Sequence, residues 1–592
     1  MNQAEIENLM DGANYAQALE GLAKRPPSTW RDTTELRCLR ALGRGERALR
    51  MAKQLYRSEL SSSHSNGEDR ERDDQLRGIA LIFAEQGQAR EACDILQALC
   101  DNSPDNAALR HEYAYALIND LQFDGAELEL QTALAIKPTA SKSYSLLASV
   151  YRNTGRVDAA MNCYYRAATL EPENPRYLQK LAHWSDYCSS SDQQLNFHLT
   201  QLWARKAFPH RHKDSHTWRA AKPNRQLKLA FVSSNFCRHE ISSSVLPLLA
   251  NLSRKEFHVS AFSCTHTPNS ISKKIKAQCD TWRDCGDLSD GDLAKQILQD
   301  QIDVLFDLDG HTDGNRLGVF AKFNAPLQIS WLGYASTSGL ESIAYRITDQ
   351  IADPVDVSDI YFSEELIRLV NGFICYQPLA SAPDVRPRKN AETLVLGSLA
   401  NLDRISNKTI DCWSYALHAL PEAVLHLRQE QLINASAHIH LIEQFKQRGI
   451  DEGRLRIKTS KLNPEQYLAE YNEIDIALDT TPYNDMHATL DALWMGVPVV
   501  SLSGNTHASR LSASILHRAG LSKYAVSKLT DFTAQVCELA NDPKLRSKLR
   551  ARLRSKIEAC SLMQHQRFAD EFGAAVREKW QLWCEQQRLK EQ

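Results

Sequence analysis

The sequence predicts an α-helical repeat solenoid followed by two doubly wound α/β lobes. Three observations carry this expectation. A 34-residue period runs through the first third of the 592-residue chain. Strand-like apolar runs begin abruptly after Asn224. Strand–loop–helix units then recur on both sides of a proline-rich break at Gln377–Arg388. A chain of this length is expected to divide into several domains, because single cores stop growing well before it.

The repeat array rests on three matched series. Pro104, Pro138 and Pro172 are 34 residues apart, and Ala92, Ala126, Ala160 and Ala80, Ala114, Ala148 keep the same step. Small residues at fixed helical positions let the two helices of a hairpin approach closely, and the proline closes each unit. That period and pattern resemble the tetratricopeptide repeat. A weaker copy at Leu36–Tyr56 keeps the Gly43-to-Ala48 spacing seen again from Gly87 to Ala92. Ser61–Asp74 (SSSHSNGEDRERDD) is polar and low in complexity, and reads as a flexible insert. The array is assigned to residues 1–178, where its expected role is to hold a protein partner along a concave face. Residues 179–225 read as a helical linker that leaves the repeat register.

The first α/β lobe is assigned to residues 226–378, with Gln226–Val232 as its first strand. Three strand–loop junctions in it share one logic. In LKLAFVSSNFCRHEISSSVLPLL a strand ends at Ser233 and a helix is expected near Ser242, with His239 in the loop between. In IDVLFDLDGHTDG, Asp307 and Asp309 alternate onto one strand face, a spacing open to a metal pair or an ordinary turn. In WLGYASTSGL, Ser336, Thr337, Ser338 and Gly339 offer a small, hydroxyl-rich approach to a phosphate or sugar. The second lobe is assigned to residues 390–592. It opens with a strand at Thr393–Leu396 and the loop SLANLDRIS, and a cleft between the lobes is expected.

The stretch most suggestive of chemistry is Ile474–Asn505. An apolar run stops at Asp479, a polar loop follows, and a helix is expected to start near His487–Thr489. Gly496 and Pro498 end that helix, and Val499–Leu502 reads as the next strand. A helix N-terminus at the carboxyl edge of a parallel sheet favours a phosphate. Asp491, further along the helix, is suited to accept from two ribose hydroxyls.

Composition narrows the classes. Net charge is −3 with 24% charged residues, so no bias toward nucleic acid appears. No apolar run reaches the ~18–20 residues of a membrane span, and the start MNQAEIENLMDGA lacks a secretory pattern. The fourteen cysteines form no C-x-x-C pair, which fits buried thiols in a reducing compartment and a cytoplasmic protein. Glycine-rich nucleotide fingerprints and a Ser-centred nucleophile elbow are absent from the sequence. Near the C-terminus, Lys544–Lys556 interleaves cations with leucines, which reads as a solvated basic face over a packed stripe.

FVSSNFCRHEISS, DGHTDG, APLQISWLGYASTSG, ITD at Ile347–Asp349, YFSEELIRL, LDTTPYND and DALWMGVPVVSLSGNTHASR resemble, in that order, the O-GlcNAc transferase/SPINDLY family. The resemblance implies tetratricopeptide repeats before a two-lobed GT-B catalytic region, and inverting, metal-independent transfer of a nucleotide-activated sugar to Ser or Thr of proteins. It implies no cofactor beyond the donor substrate, which is expected to be UDP-GlcNAc. A GDP-fucose donor of the SPINDLY kind and a repeat scaffold with a decayed catalytic region remain the alternatives. A bacterial style of enzyme is expected, with flagellin or another surface protein as acceptor.

Carried over residue by residue, the resemblance places His239 beside the donor phosphate and the reacting centre. Arg404 falls where the family usually has the lysine that neutralises the departing diphosphate, with Asn401 beside it in the same loop. Asn484, His487 and Thr489 occupy the diphosphate loop, Asp491 holds the ribose, and Thr337, Ser338 and Gly339 face the sugar and phosphate. Two departures stand out. Arginine replaces lysine at 404, which keeps charge while changing geometry. The family tends to carry glycine and a threonine run where this chain reads DMHAT, so Asp485 brings negative charge to the phosphate loop and Ala488 removes a hydroxyl.

Overall fold

The computed structural model describes residues 1–61, 70–209, 221–322, 324–388 and 393–591. Two compact units divide the chain. In the first, 1–153 with 162–170, the described residues form helices that alternate with short turns from Gln3–Asp11 onward. The alanine series explain why these helices pair: Ala80, Ala92, Ala114, Ala126 and Ala148 are all fully buried. A larger side chain at any of them would push two helix axes apart. Part of the expected insert is helical, since Ser61 ends Gly45–Ser61 and Arg70 begins Arg70–Glu85. The rest of it, 62–69, lies outside the described residues.

The turn between the two helices of a repeat runs through a left-handed residue. Gly43 and Gly87 have φ of +68° and +78°. The following N–H bonds back to the last turn, Arg44 to the Leu39 carbonyl and Gln88 to the Phe83 carbonyl. One repeat later the same place is taken by Leu121, at φ +61°, with the matching bond from Gln122 to Leu117. A Cβ is disfavoured there.

The second unit contains two parallel sheets. The first has seven strands: β1 (Leu227–Ser233), β2 (Phe257–Ser263), β3 (Thr281–Asp284), β4 (Val304–Asp307), β5 (Leu327–Ser330), β6 (Tyr345–Thr348) and β7 (Glu365–Arg368), in the order 3-2-1-4-5-6-7. The second has β8 (Val395–Ser398), β9 (Val424–Arg428), β10 (Leu455–Lys458), β11 (Ile476–Leu478), β12 (Val499–Leu502) and β13 (Ala525–Val526), in the order 10-9-8-11-12-13. Counted from its own first strand, the second sheet repeats the 3-2-1-4-5-6 order. Both lobes are therefore doubly wound, with switch points between β1 and β4 and between β8 and β11. Central strands such as LKLAFVS are buried along most of their length, as sheets covered on both faces require.

Four local expectations change. The helix after β1 begins at His239, not near Ser242. Asp309 lies beyond the end of β4, so it shares a turn with Asp307 and not a strand face. The last helix, His565–Glu591, follows the second sheet in sequence but packs on the first. Phe572 lies 5.4 Å from Phe306 and 5.1 Å from Trp331, ring to ring. The basic helix Pro543–Ala559 is less solvated than its pattern suggests. Arg546, Arg550, Arg554 and Lys556 cap backbone carbonyls of the second lobe, and Arg554 also lies over Trp494. Among the described residues no helix is long and apolar enough to cross a membrane.

Leu121 supplies the test of the repeat geometry. Its side chain is exposed, so Leu121→Gly removes little packing while relieving a left-handed conformation. The substitution should stabilise the protein by about 0.5–1 kcal/mol. Urea denaturation followed by helical circular dichroism measures this, and a loss of stability would contradict the turn geometry.

Candidate active site

The loops singled out after β1, β4, β8 and β11 lie at the two switch points, and the loop 331–340 follows β5, one strand further along the first sheet. In the second lobe the arrangement starts at Asp479, one residue past β11. Its carboxylate accepts from the N–H of Thr480 at 2.8 Å, the N–H of Asp485 at 2.9 Å and the Ser501 hydroxyl at 2.6 Å. Burial still pushes its pKa up to about 6. These bonds fold residues 480–485 back over the strand end. Thr480 and Asn484 close the loop internally, the Thr480 hydroxyl donating to the Tyr483 carbonyl and the Asn484 amide to the Thr480 carbonyl.

The loop delivers Asp485 as the N-cap of helix Met486–Trp494, where its side chain accepts from the N–H of Ala488 at 3.1 Å. Its other oxygen accepts from Asn401 N–H at 3.4 Å and lies 3.7 Å from Arg404 Nε. Arg404 Nη1 donates to the Asn484 carbonyl at 2.8 Å, and its guanidinium stands 4.6 Å from the Tyr483 ring centre. Burial opposes the charge of each partner. For Asp485, burial is the largest influence, but Arg404 together with the N–H groups of Ala488 and Asn401 and the nearby His487 holds the carboxyl below its ordinary range. For Arg404, burial is likewise the largest influence, and Asp485 with Tyr187, Tyr483 and Asp403 together holds the guanidinium above its ordinary value.

The other expected residues of this lobe divide in two. Asn401 is exposed and its loop meets Arg404, and His487 is half-buried in the first helical turn. Asn484 is fully buried and shapes the loop. Thr489 turns inward, its hydroxyl 2.8 Å from that of Ser512, so this hydroxyl is engaged in the core. Asp491 accepts a 2.9 Å bond from the Tyr376 hydroxyl. Its pKa is pushed up to about 7, first by burial and then by the negative charges of Asp485 and Glu240, with the Tyr376 bond opposing.

Glu240 ties the first lobe to this place, because it follows His239 at the start of helix His239–Asn251. The His239 side chain itself lies outside the described residues. Nearby, Asp309 accepts from Ser233, from Ser234 and from the Asn235 amide. Asp307 accepts from the N–H groups of Asp309 and Gly310, while burial and then Asp309 push its pKa up to about 7. Both carboxylates thus hold the turn between strand and helix. No cluster of three metal-ligating side chains occurs among the described residues. His311, buried beside Trp203 and Tyr334, has its pKa lowered to about 3 by burial.

Thr337 and Ser338 differ from their expected orientation. The Thr337 hydroxyl donates to Glu364 at 2.6 Å, and both the N–H and hydroxyl of Ser338 bond to the same buried carboxylate. Their hydroxyls are engaged within the protein. Gly339 has φ +75°, and a Cβ there would come within 2.5 Å of the Thr200 carbonyl oxygen, so only glycine fits the loop.

Several residues that join the lobes escaped the sequence. His507 and Asp353 form a fully buried 2.6 Å contact, and Ser514 bonds to Asp349. Tyr187 stacks on Tyr483 at 4.3 Å, extending the aromatic surface behind Arg404. Tyr376 stands immediately before the proline-rich break, where one aromatic at a lobe boundary was the available signal.

Comparison with known proteins gives a consistent outcome. The profile described as "Glycosyl transferase family 41" matches residues 194–378 and 386–572, and a tetratricopeptide-repeat profile matches residues 141–174. A Petunia hybrida protein described as a probable UDP-N-acetylglucosamine–peptide N-acetylglucosaminyltransferase SPINDLY is 29% identical over 403 residues. That match covers 67% of this chain and 43% of the relative. The Arabidopsis thaliana protein SEC, described as a probable enzyme of the same activity, is 25% identical over 62% of this chain and 38% of its own length. The chain thus spans about four tenths of the length of these relatives. A variant of the O-GlcNAc transferase of Thermobaculum terrenum superposes with a TM-score of 0.80 at 28% identity, over 87% of this chain and 99% of that one. This match agrees with the helical repeats and the two-lobed GT-B architecture.

The Tyr376–Asp491 bond carries a pH signature. Because burial raises the Asp491 pKa, the folded protein keeps that proton as pH rises from about 4 to about 7, and this group's contribution to stability falls over that window. A hydrogen bond to the charged carboxylate is worth about 1.5–3 kcal/mol, against about 0.5–1.5 for the neutral form. Tyr376→Phe should therefore cost more stability at about pH 8.5 than at about pH 5.5. Equal losses at both pH values, by urea titration, would show that Asp491 does not ionise in this range.

Proposed function

This chain belongs to glycosyl transferase family 41, and we propose that it is a protein O-glycosyltransferase that moves GlcNAc from UDP-GlcNAc to Ser or Thr of an acceptor protein with inversion. The observation that carries this reading is the buried guanidinium of Arg404, held at the switch point of the second lobe beside a capped helix N-terminus. Supporting it are Asp491 on the same helix and the activity by which the SPINDLY and SEC relatives are described.

In the reaction the acceptor hydroxyl oxygen attacks the anomeric carbon from the face opposite the diphosphate. The carbon–oxygen bond to the β-phosphate breaks, the nucleoside diphosphate leaves with the electron pair, and the acceptor proton passes to a base. Arg404 stabilises the charge that grows on the diphosphate, helped by the N–H groups of the first turn after Asp485. Asp491, as a carboxylate, accepts from the ribose. His239 stands at the head of the helix that brings Glu240 toward Asp491, and its imidazole is the group proposed to orient the reacting atoms. The proposed step calls on no metal, and in support Asp307 and Asp309 are engaged by the donors of their own turns, Asp307 by two N–H groups and Asp309 by Ser233, Ser234 and Asn235. The acceptor is proposed to bind along the repeats, in the cytoplasm; nothing in the chain singles out flagellin.

Thermal-shift measurements with UDP, GDP and their sugars test the donor. UDP and UDP-GlcNAc should stabilise the protein, and transfer should persist in chelator. A shift with GDP and GDP-fucose alone would replace the donor, and loss of transfer in chelator restored by Mn²⁺ would overturn the metal-independent chemistry.

Charge on the leaving group develops only as the bond breaks, so Arg404→Ala should lower kcat by at least about 100-fold. Asp491→Ala should mainly raise the donor KM, because ribose contacts change little along the reaction. Turnover by Arg404→Ala at the wild-type rate would remove Arg404 from the diphosphate site.

A further inference from the structure

We propose that Asp485 is a positioning residue for Arg404, so that the acid in the phosphate loop and the arginine opposite it form one coupled unit. The proposal rests on the glycosyltransferase reading of this site. Alone, an acidic side chain beside a diphosphate is a burden, since like charges a few ångströms apart repel strongly where water is excluded. The geometry around Asp485 gives it a different use.

Asp485 makes three contacts with three parts of the cradle. One oxygen caps Ala488 N–H, and the other accepts from Asn401 N–H and faces Arg404 Nε at 3.7 Å. Its own N–H is fixed by Asp479. The acid therefore joins the loop after β8 to the loop after β11, with Arg404 between them. Both charged side chains are largely out of water, at 16% exposure for Arg404 and 7% for Asp485, so screening of the pair is weak.

Arg404 is held from three directions. Asn484 takes Nη1, Tyr483 backs the guanidinium plane, and Asp485 faces Nε. Among the described residues only Nη1 makes a hydrogen bond; Nε meets Asp485 as an ion pair, and Nη2 is bonded to none of them. A planar fork can satisfy protein acceptors with one edge and still present a nitrogen to a phosphate; an ammonium is a point charge on a flexible stem that holds neither direction. The acid thus suits arginine and not lysine. With arginine it fixes the fork, and with lysine it would draw the ammonium away from the phosphate while leaving its own charge in place.

The expectation is a reversal of sign. Asp485→Asn keeps the capping oxygen and removes the charge, so the helix start is preserved. In the wild-type background it should lower kcat by about tenfold, with little change in donor KM, because the guanidinium loses its fixed direction. Arg404→Lys should also lower kcat. In the Arg404→Lys background, however, Asp485→Asn should raise kcat, since it removes a charge that no fork occupies. The experiment is a double-mutant cycle on the full chain, reading kcat and donor KM at saturating acceptor, with urea stability measured for all four proteins. An equal fold-change from Asp485→Asn in both backgrounds would overturn the proposal, as would a gain in the wild-type background. If the wild type transfers no sugar, the enzymatic reading fails separately. The stability cycle then decides the pairing: coupling between the two positions supports it, and additive effects overturn it.

Discussion

The second lobe's site depends on one buried carboxylate. Asp479 sits where β11 ends, and it gathers two N–H groups of the following loop and a hydroxyl from β12. Without that acceptor, residues 480–485 would have buried donors with no partner, a cost of about 1–3 kcal/mol for each. The loop's closure places the Asn484 carbonyl where it holds Arg404 and makes Asp485 the helix cap. Charge placement in this lobe is thus a consequence of how a strand end is satisfied. The first lobe uses the same device, with Asp307 and Asp309 gathering the N–H groups and side chains of the loops after β4 and β1. Two sheets of the same winding order solve the same problem with carboxylates at the same kind of junction.

Periodicity made the architecture legible. The 34-residue series marks positions where only a small side chain fits between helices, and that constraint is local enough to show in sequence. Parallel strands read as short apolar runs because both faces are buried. Helix starts were less visible. His239 heads its helix without a side-chain cap bond, so the usual signal was missing there, and the serines at 242–244 drew the boundary inward. The last helix escaped for a different reason. Its apolar stripe shows that it packs, and nothing local shows on which sheet.

The site was legible as a set of loops and less so as a set of atoms. Arg404 and Asn401 lie in the loop after β8 and Asp491 in the helix that follows the loop after β11, the elements read from the sequence, because those elements follow from strand ends. Thr337, Ser338 and Thr489 show the limit: a hydroxyl in the right loop has two sides to face, and Glu364 and Ser512 claim these three. Their partners are 26 or 27 residues away for the first two and 23 for the third, beyond the reach of pattern. Asp485 looked like an intrusion for the same reason, since the loop that carries its cation begins at Asn401, 84 residues back along the chain.

The crossing of His565–Glu591 back to the first sheet has a bearing on synthesis. Phe306 and Trp331 find their aromatic neighbours Phe568 and Phe572 only after the whole second lobe has been made. A nascent first lobe therefore exposes part of its apolar face while the ribosome builds the other, and long-range closure of this kind slows folding and invites association. The core of the first lobe is thus complete only when the end of the chain has been made.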